Sequence, residues 1–409
     1  MAFKSYPRVF FELLIIGFAI VLGQGLAQSF LPIFAKELDP SGIIAGFVVS
    51  AWFLSRVFIE IPSGIISDRI GRSRLLVVGI SLSASGAFLC AISNSIYMLI
   101  IGRGIWGLGT ALYFMNNSAL IMDLFDPSVR GRTLGTFQSI ELIGSFIGAP
   151  FGAFIAENIG NSIVRGYNLV FYLSFGLILA AFTLAFMSKE IRHVSTVKTT
   201  KSTVSLKEVF LLFGNTGVAV ICICSFSRML IMQGITNTVL ELYLNEGIML
   251  SVSLIGIVLS FRSVGFIISS ISSGYLSDRI GRKPIIIVGI LIGSASMLIL
   301  ANVSSFELFM LTALMMGLGE GMVFTCLLVL LSEVVSPHVR GGAIGLYRTF
   351  MDLGGFIGPI LFAFMYDNLG PSFPFYSAAA ILLFNAILVI SIRKMKLVTQ
   401  KGSTEAFHH

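Results

Sequence analysis

The sequence predicts an all-α integral membrane protein of twelve transmembrane helices, built as two parallel six-helix repeats. Three observations predict it. Charged residues are 11% and hydrophobic residues 56% of the 409, whereas soluble proteins carry about 25% charged residues. Twelve apolar segments follow one another along the chain. The sequence Gly64-Ile-Ile-Ser-Asp68-Arg69-Ile-Gly71-Arg72 returns 210 residues later as Gly274-Tyr-Leu-Ser-Asp278-Arg279-Ile-Gly281-Arg282, and a long internal period marks a duplicated architecture.

The apolar segments, spans 1 to 12, fall near 9–34, 42–64, 75–93, 96–122, 132–156, 168–187, 214–244, 252–273, 285–303, 306–331, 342–366 and 373–392. Each is long enough to cross a ~30 Å hydrocarbon core. Residues 1–188 are expected to form an N-terminal six-helix bundle, 189–210 a cytoplasmic linker, and 211–396 a C-terminal six-helix bundle. Residues 397–409 form a tail whose His408-His409 looks like a tag remnant. The linker carries Lys189, Arg192, Lys198, Lys201 and Lys207 among Ser and Thr, as a solvated connection would. Met1 to Arg8 is short and weakly basic, and the apolar run after it is too long for a cleavable signal.

Charge sets the orientation. If the chain starts inside, 20 of the 27 Lys and Arg lie on the cytoplasmic side and two, Lys36 and Arg165, outside. Basic residues favour the cytoplasmic side, so both termini are predicted to be cytoplasmic, in a plasma membrane. The same bias accounts for the net charge of +7 without nucleic acid. Cys90, Cys222, Cys224 and Cys326 all lie in apolar runs, where free Cys is a small packing residue. The side chains of Cys222 and Cys224 point about 200° apart on a helix, so no metal pair is expected.

The 210-residue offset recurs. Asp123-x6-Arg130-Gly131 returns as Glu333-x6-Arg340-Gly341, Gly135-x8-Gly144-x3-Gly148 as Gly345-x8-Gly354-x3-Gly358, and Asn158-Ile-Gly160 as Asn368-Leu-Gly370. Both copies of each landmark fall on one membrane side, so the repeat holds an even number of spans. Six fits the length and gives a parallel duplication.

With its Gly-x3-Asp-Arg-x-Gly-Arg loop after spans 2 and 8, the chain resembles the major facilitator superfamily over residues 5–395, most closely its twelve-span drug:proton antiporters. The resemblance implies alternating access by two rocking halves, with spans 3, 6, 9 and 12 peripheral. It also implies that the loop stabilises the state closed to the cytoplasm. Gly64 and Gly274 are expected to permit close approach, and Asp68 and Asp278 to meet a neighbouring helix N-terminus. Arg69, Arg72, Arg279 and Arg282 are expected to bridge to Asp123 and Glu333. Gly71 and Gly281 complete this latch.

Beyond the first turn of each span, ten charges lie within the spans: Arg56 and Glu60, Arg103, Glu141, Arg228 and Glu241, Arg262, Glu320, and Arg348 and Asp352. Each costs at least ~2.5 kcal/mol in hydrocarbon, so they should face protein or a watery cavity. None falls in spans 3, 6, 9 or 12, which suits peripheral positions. Arg56/Glu60 and Arg348/Asp352 are spaced i,i+4 and share a helix face, so each pair can be a local ion pair. The other six have no evident local partner and are the first candidates for substrate or proton contact, with Arg103 and Glu241 nearer the outer face. Arg103-Gly-Ile-Trp-Gly107-Leu-Gly109-Thr-Ala111 resembles the family's span-4 motif, whose arginine is tied to proton coupling. Glu141 or Glu320, near mid-span, is expected to carry a proton.

Gly144, Gly148 and Gly152 form a small-residue ridge on span 5, matched by Gly354 and Gly358 on span 11, for close helix contact. With Gly135 and Pro150 the ridge resembles the family's antiporter motif, although Pro150 follows Ala149 rather than Gly148. Gln24, Gln28, Asn116, Asn117, Gln233 and Asn237 are expected to add polar groups to the cavity. Trp106 and Tyr113 can stack on a substrate or fill the core.

The expected function is secondary active transport of a small organic solute, as proton-coupled export. A proton- or ion-coupled importer of an organic anion is the alternative, and a passive channel or receptor the third reading. An enzyme is not expected: His193, His338, His408 and His409 lie outside the spans, and the loops cannot hold a catalytic domain. No cofactor or metal is expected. The partners are a small molecule, protons and the bilayer, and the protein is expected to be a monomer.

Overall fold

The computed structural model describes residues 7–125, 127–159, 163–194, 211–336 and 339–391. Among them, twelve helices are long and apolar enough to cross a membrane. Spans 1 to 6 are Arg8–Gln28, Gly42–Ile70, Arg72–Ala91, Ile96–Leu124, Pro127–Asn158 and Ile163–Met187. Spans 7 to 12 are Thr216–Gly247, Val252–Ile280, Arg282–Leu300, Phe306–Val334, Arg340–Leu369 and Phe373–Ser391. The side chains of Glu60, Asp68, Arg69, Arg130, Arg165, Arg192, His193 and Arg340 lie outside the described residues, as do Gly64, Gly131, Gly160, Gly341, His338 and the tail from 392.

Local chemistry sets the ends of these helices. The side-chain oxygens of Ser41, Ser95 and Ser251 accept the backbone N–H of Ile44, Met98 and Leu254 and so cap spans 2, 4 and 8, each satisfying a donor the first turn leaves free. Spans 2 and 3, like spans 8 and 9, are joined by a single glycine. Gly71 has φ +99° and Gly281 φ +92°, a region that favours a residue without Cβ. The two loops also share a hydrogen bond: Gly71 N–H donates to Ser67 O at 2.9 Å and Gly281 N–H to Ser277 O at 3.0 Å.

Three elements differ from the sequence prediction. Span 1 stops at Gln28 instead of running to 34, and a short helix, Leu31–Leu38, follows. Pro32 stands in its first turn, where its missing N–H costs nothing; inside a longer span it would break the ladder. Span 7 is wound as a π-helix over Met232–Val239 and Tyr243–Gly247. The predicted linker begins as a helix, Lys189–Val194. Ile191 is buried there, its N–H donates to Ser188 Oγ at 3.1 Å and its carbonyl accepts Ser73 Oγ–H at 2.6 Å. The rest of the linker, from 195, lies outside the described residues.

Spans 1–6 pack among themselves, as do spans 7–12, and the two groups meet mainly where span 2 crosses span 11 and span 5 crosses span 8. Within each group the glycine ridges hold the inner pairs. A Cβ on Gly144, Gly148 or Gly152 would come 3.0, 2.8 or 1.7 Å from the carbonyl oxygens of Phe18, Leu22 and Leu26 in span 1. A Cβ on Gly354 or Gly358 would come 2.2 Å from the carbonyls of Phe226 and Leu230 in span 7. Spans 1 and 5, and 7 and 11, therefore touch backbone to backbone.

Among the described residues, the polar contacts between halves gather at the rim opposite the basic loops. There Lys36 Nζ lies 2.9 Å from Glu246 Oε2 and 3.9 Å from Asp367 Oδ1. Ser253 N–H, in the first turn of span 8, donates to Glu157 Oε2 at 2.6 Å. Deeper, Ser50 Oγ–H donates to Phe356 O at 2.6 Å, and a Cβ on Gly46 would come 2.6 Å from Pro359 O. At the basic rim, Gly135, Gly274 and Gly345 have nothing within 4 Å of where a Cβ would stand. The close approach expected at Gly274 is thus not made among the described residues, because the face of span 8 that carries it stands open.

Candidate substrate cavity

A cavity of about 450 Å³ lies between the two halves at mid-span, within the usual size range for small-molecule sites. Six of the ten predicted intramembrane charges line it: Arg56, Glu141, Arg228, Arg262, Glu320 and Asp352. Between the charges stand aromatic and methionine side chains. Trp52, Phe53, Phe114 and Phe146 come from the N-terminal half; Phe266, Phe324, Met229, Met232 and Met351 come from the C-terminal half.

The pairing of Asp352 departs from the sequence expectation. Arg56 pairs across the halves, its Nε 3.3 Å from both carboxylate oxygens of Asp352, with its guanidinium 4.6 Å from the Trp52 ring centroid. Both partners are buried. The face of span 2 that carries Arg56 meets span 11, which offers a carboxylate; the expected partner Glu60 lies outside the described residues. Arg348, the other expected partner of Asp352, lies instead near Met115 Sδ at 3.9 Å. Asp352 thus closes the floor of the 2–11 crossing, where the far-rim contacts give way to the cavity.

Three of the six charges expected to have no local partner form a triad. Arg262 Nη2 and Nε lie 2.6 and 3.1 Å from Glu320 Oε2, and Arg228 Nη1 lies 3.5 Å from Glu320 Oε1. These residues come from spans 7, 8 and 10, so no spacing along one helix could reveal the arrangement. Two guanidiniums share one carboxylate. Arg228 is poorly satisfied: its Nε has no hydrogen-bond partner among the described residues. Other donors of Arg228 face Met351 Sδ at 3.4 Å and Met232 Sδ at 4.0 Å, and thioethers are weak acceptors. Glu141, on the opposite wall, also has an oxygen without a partner among the described residues.

Other candidates fall elsewhere. Arg103 is not among the cavity-lining residues; its guanidinium sits 5.5 Å from the Trp106 ring centroid. Glu241 is fully buried in the outer part of span 7, away from the cavity wall, and neither oxygen has a partner among the described residues. Of the six polar neutrals, Gln24 lines the cavity. Gln28 does not. Asn116 is bound to Leu112 O at 2.7 Å and accepts Ser67 Oγ–H at 2.6 Å. Asn117 donates to Tyr113 Oη at 3.2 Å, and Asn237 to Gln233 at 3.0 Å. Trp106 and Tyr113 are fully buried core residues.

The loop latch is formed in part. Arg72 bridges to Asp123 at 2.5 Å and donates to Ala119 O at 2.7 Å. Arg282 bridges to Glu333 at 3.1 Å. Asp278, expected at a neighbouring helix N-terminus, pairs with its own Arg282 at 2.6 Å. Arg279, expected to bridge to an acid, instead bonds Tyr275 Oη and stacks 4.4 Å from its ring centroid.

The cavity aromatics and methionines were missed by sequence reading, since apolar residues in apolar spans carry no contrast. One signal was available. Trp52, Ser145, Met232, Phe266 and Phe324 each stand four residues from an intramembrane charge that lines the cavity, and such residues share its face.

Twelve spans in two groups, closed around a charged cavity at mid-span, define a membrane transporter. The chain belongs to the Major Facilitator Superfamily, whose family model matches residues 13–236 and 221–408. The quinolone resistance protein NorA of Staphylococcus aureus is 23% identical over 378 residues, covering 91% of this chain and 93% of the relative. An uncharacterised transporter of this family from Methanocaldococcus jannaschii is 24% identical over 365 residues, covering 88% and 92%. Among solved structures, the nucleoside transporter NupG superposes with TM-score 0.77 at 17% identity over 94% of this chain and 99% of that one. A bacterial homologue of the human lysosomal transporter Spinster gives 0.74 at 15% identity, over 93% and 94%.

Proposed function

We propose that the protein is a proton-driven exporter of a small organic solute, working as a monomer in the plasma membrane by alternating access. The observation that carries this reading is the mid-span cavity, built by both halves and sealed at one rim by contacts between them. With the basic rim on the cytoplasmic side, as the lysine and arginine bias favours, both termini are cytoplasmic. The cavity is then closed to the outside and in position to take solute from the cell. The relatives named for quinolone resistance support export, since removing a compound is one way to resist it.

Glu141 is the proposed proton carrier. Glu320 is held by two arginines and Asp352 by one, whereas Glu141, with Oε1 unbonded, forms no ion pair among the described residues. A carboxylate not committed to an ion pair can change protonation without breaking one. Solute-driven proton flux in proteoliposomes tests the assignment. Glu141→Gln should abolish proton coupling while solute binding persists, and full coupling in that variant would remove Glu141 from the mechanism.

A second reading is favoured by one observation. The triad of Arg228, Arg262 and Glu320 carries one positive charge more than negative, which suits an organic anion. Import of that anion with a cation would use the same cavity. The direction of the gradient that drives uphill flux separates the two readings.

A further inference from the structure

We infer that the C-terminal half holds a side pocket that seats the apolar end of a small organic carboxylate whose head group docks on Arg228. The inference rests on the transporter reading above and names the class of its substrate.

A second cavity, of about 60 Å³, lies between spans 7, 9, 10 and 12. One water needs about 10–15 Å³ by this measure, so the pocket takes roughly three or four carbons or one ring. Its walls include Met297, Met316, Val323 and Asn385, all buried. It shares Arg228, Met232 and Glu320 with the central cavity. Arg228 and Glu320 of the triad therefore stand in the wall between the two spaces.

The duplication explains why the space exists. At the 210-residue offset, Met316-Gly-Leu-Gly-Glu320 corresponds to Trp106-Gly-Leu-Gly-Thr110, Val323 to Tyr113 and Asn385 to Phe175. Trp106 and Tyr113 are fully buried and fill the N-terminal half. The C-terminal half has a smaller side chain at each of these three positions. Close packing is the rule inside proteins, so a half that keeps the backbone pattern but loses this volume retains room beside its charges.

The charges select the head group. Two guanidiniums face one carboxylate, and Arg228 directs donors at thioethers. A second carboxylate would supply the acceptor that Met351 and Met232 supply poorly, and arginine matches it geometrically. A cation at the same place would meet two positive groups. An apolar chain behind that carboxylate extends between the methionines, which adapt to varied shapes.

The test uses the purified full-length chain in detergent and the sodium salts of formate, acetate, butyrate and hexanoate, with 1-butanol and butylammonium as controls. Binding is read by calorimetry or thermal shift. Affinity should rise about fourfold per methylene up to roughly butyrate and then level off, with butanol and butylammonium inactive. Met316→Trp, which installs the residue of the other half, should flatten the chain-length dependence and leave the acetate response intact. Arg228→Gln should weaken every carboxylate. Should Met316→Trp fail to fold, Gly293→Ala carries the test, because a Cβ there meets only Leu382 Cδ1, at 3.5 Å; it should bring the plateau one methylene earlier. Equal binding of butanol and butyrate would overturn the inference, as would unchanged length dependence in the folded variants. Carboxylate binding without proton-driven flux would reject the transport reading and leave the pocket standing; flux without length dependence would reject the pocket alone.

Discussion

Lys36 and Glu246 occupy the same position in the two repeats, 210 residues apart, and pair with each other across the halves at 2.9 Å. Glu157 and Asp367 are likewise equivalent at that offset. Each sits at the start of a span in the opposite half. Glu157 accepts the Ser253 N–H of span 8 at 2.6 Å, and a Cβ on Gly42, the first residue of span 2, would stand 2.5 Å from Asp367 Oδ1. A carboxylate at a helix N-terminus gains about 0.3–1 kcal/mol from the helix dipole. The far rim is thus closed by two related caps and a salt bridge between them.

Removing these caps should open that rim. Glu157→Gln with Asp367→Asn is expected to shift the conformational balance by about 1–2 kcal/mol, or roughly five- to thirtyfold. A cysteine placed at Gln24, in the cavity, reports it. An impermeant thiol reagent applied at the far rim should label it faster in the double variant. The four native cysteines are buried and should add little background. Equal labelling rates would show that the caps do not hold the rim.

Arg56 and Asp352 should behave as a unit. Arg56→Ala leaves a buried carboxylate without its guanidinium and should destabilise the protein by about 3–5 kcal/mol. Arg56→Met with Asp352→Leu should recover most of that loss, since buried pairs can be replaced by apolar residues at little cost. Thermal unfolding of the four species of the double-mutant cycle measures the coupling. Additive effects would mean that the 3.3 Å contact is energetically idle.

Two sets of glycines should respond differently to an added methyl. Gly152→Ala drives a Cβ to 1.7 Å from Leu26 O and should cost about 1–3 kcal/mol of stability. Gly345→Ala meets nothing within 4 Å and should leave unfolding unchanged. If the basic rim closes during transport, Gly345→Leu should slow turnover without lowering the melting temperature. Unchanged turnover would show that this face stays open throughout the cycle.

Glu241 offers a stability test. It is fully buried, and neither oxygen has a hydrogen-bond partner among the described residues. A polar group buried without a partner costs on the order of 1–3 kcal/mol. Glu241→Met, close in volume, should therefore raise the melting temperature. A fall would reveal that the carboxyl group contributes to stability as it stands.

The fold was largely legible in the sequence because hydrophobic length and the repeat offset are properties of one chain direction. The site was legible in kind but not in partnership. Charges within apolar spans announce themselves, so Arg56, Glu141, Arg228, Arg262, Glu320 and Asp352 could be named. Their pairing could not, because helical periodicity defines a residue's face and says nothing of which helix lies opposite. Arg348 shares a face with Asp352, yet Asp352 contacts Arg56, 296 residues away. The aromatics were hidden for a different reason: a span solvated by lipid is apolar all round, so the face that lines a cavity does not stand out. The repeat held a clue that only the fold makes readable. Trp52 and Arg56 in span 2 correspond to Arg262 and Phe266 in span 8, and the same two positions of each half present an aromatic and an arginine to the cavity in opposite order.

The exchange of caps at the far rim also works as an address. Each half carries the acid that the other half's helix start requires, and Lys36 finds its acid on the partner bundle. Two polypeptides made separately, one ending at residue 194 and one beginning at 211, would carry complementary ends and a single orientation in which both caps and the salt bridge form together. Assembly of such a split transporter in one membrane would then be specified by the bundles themselves, with no tether between them.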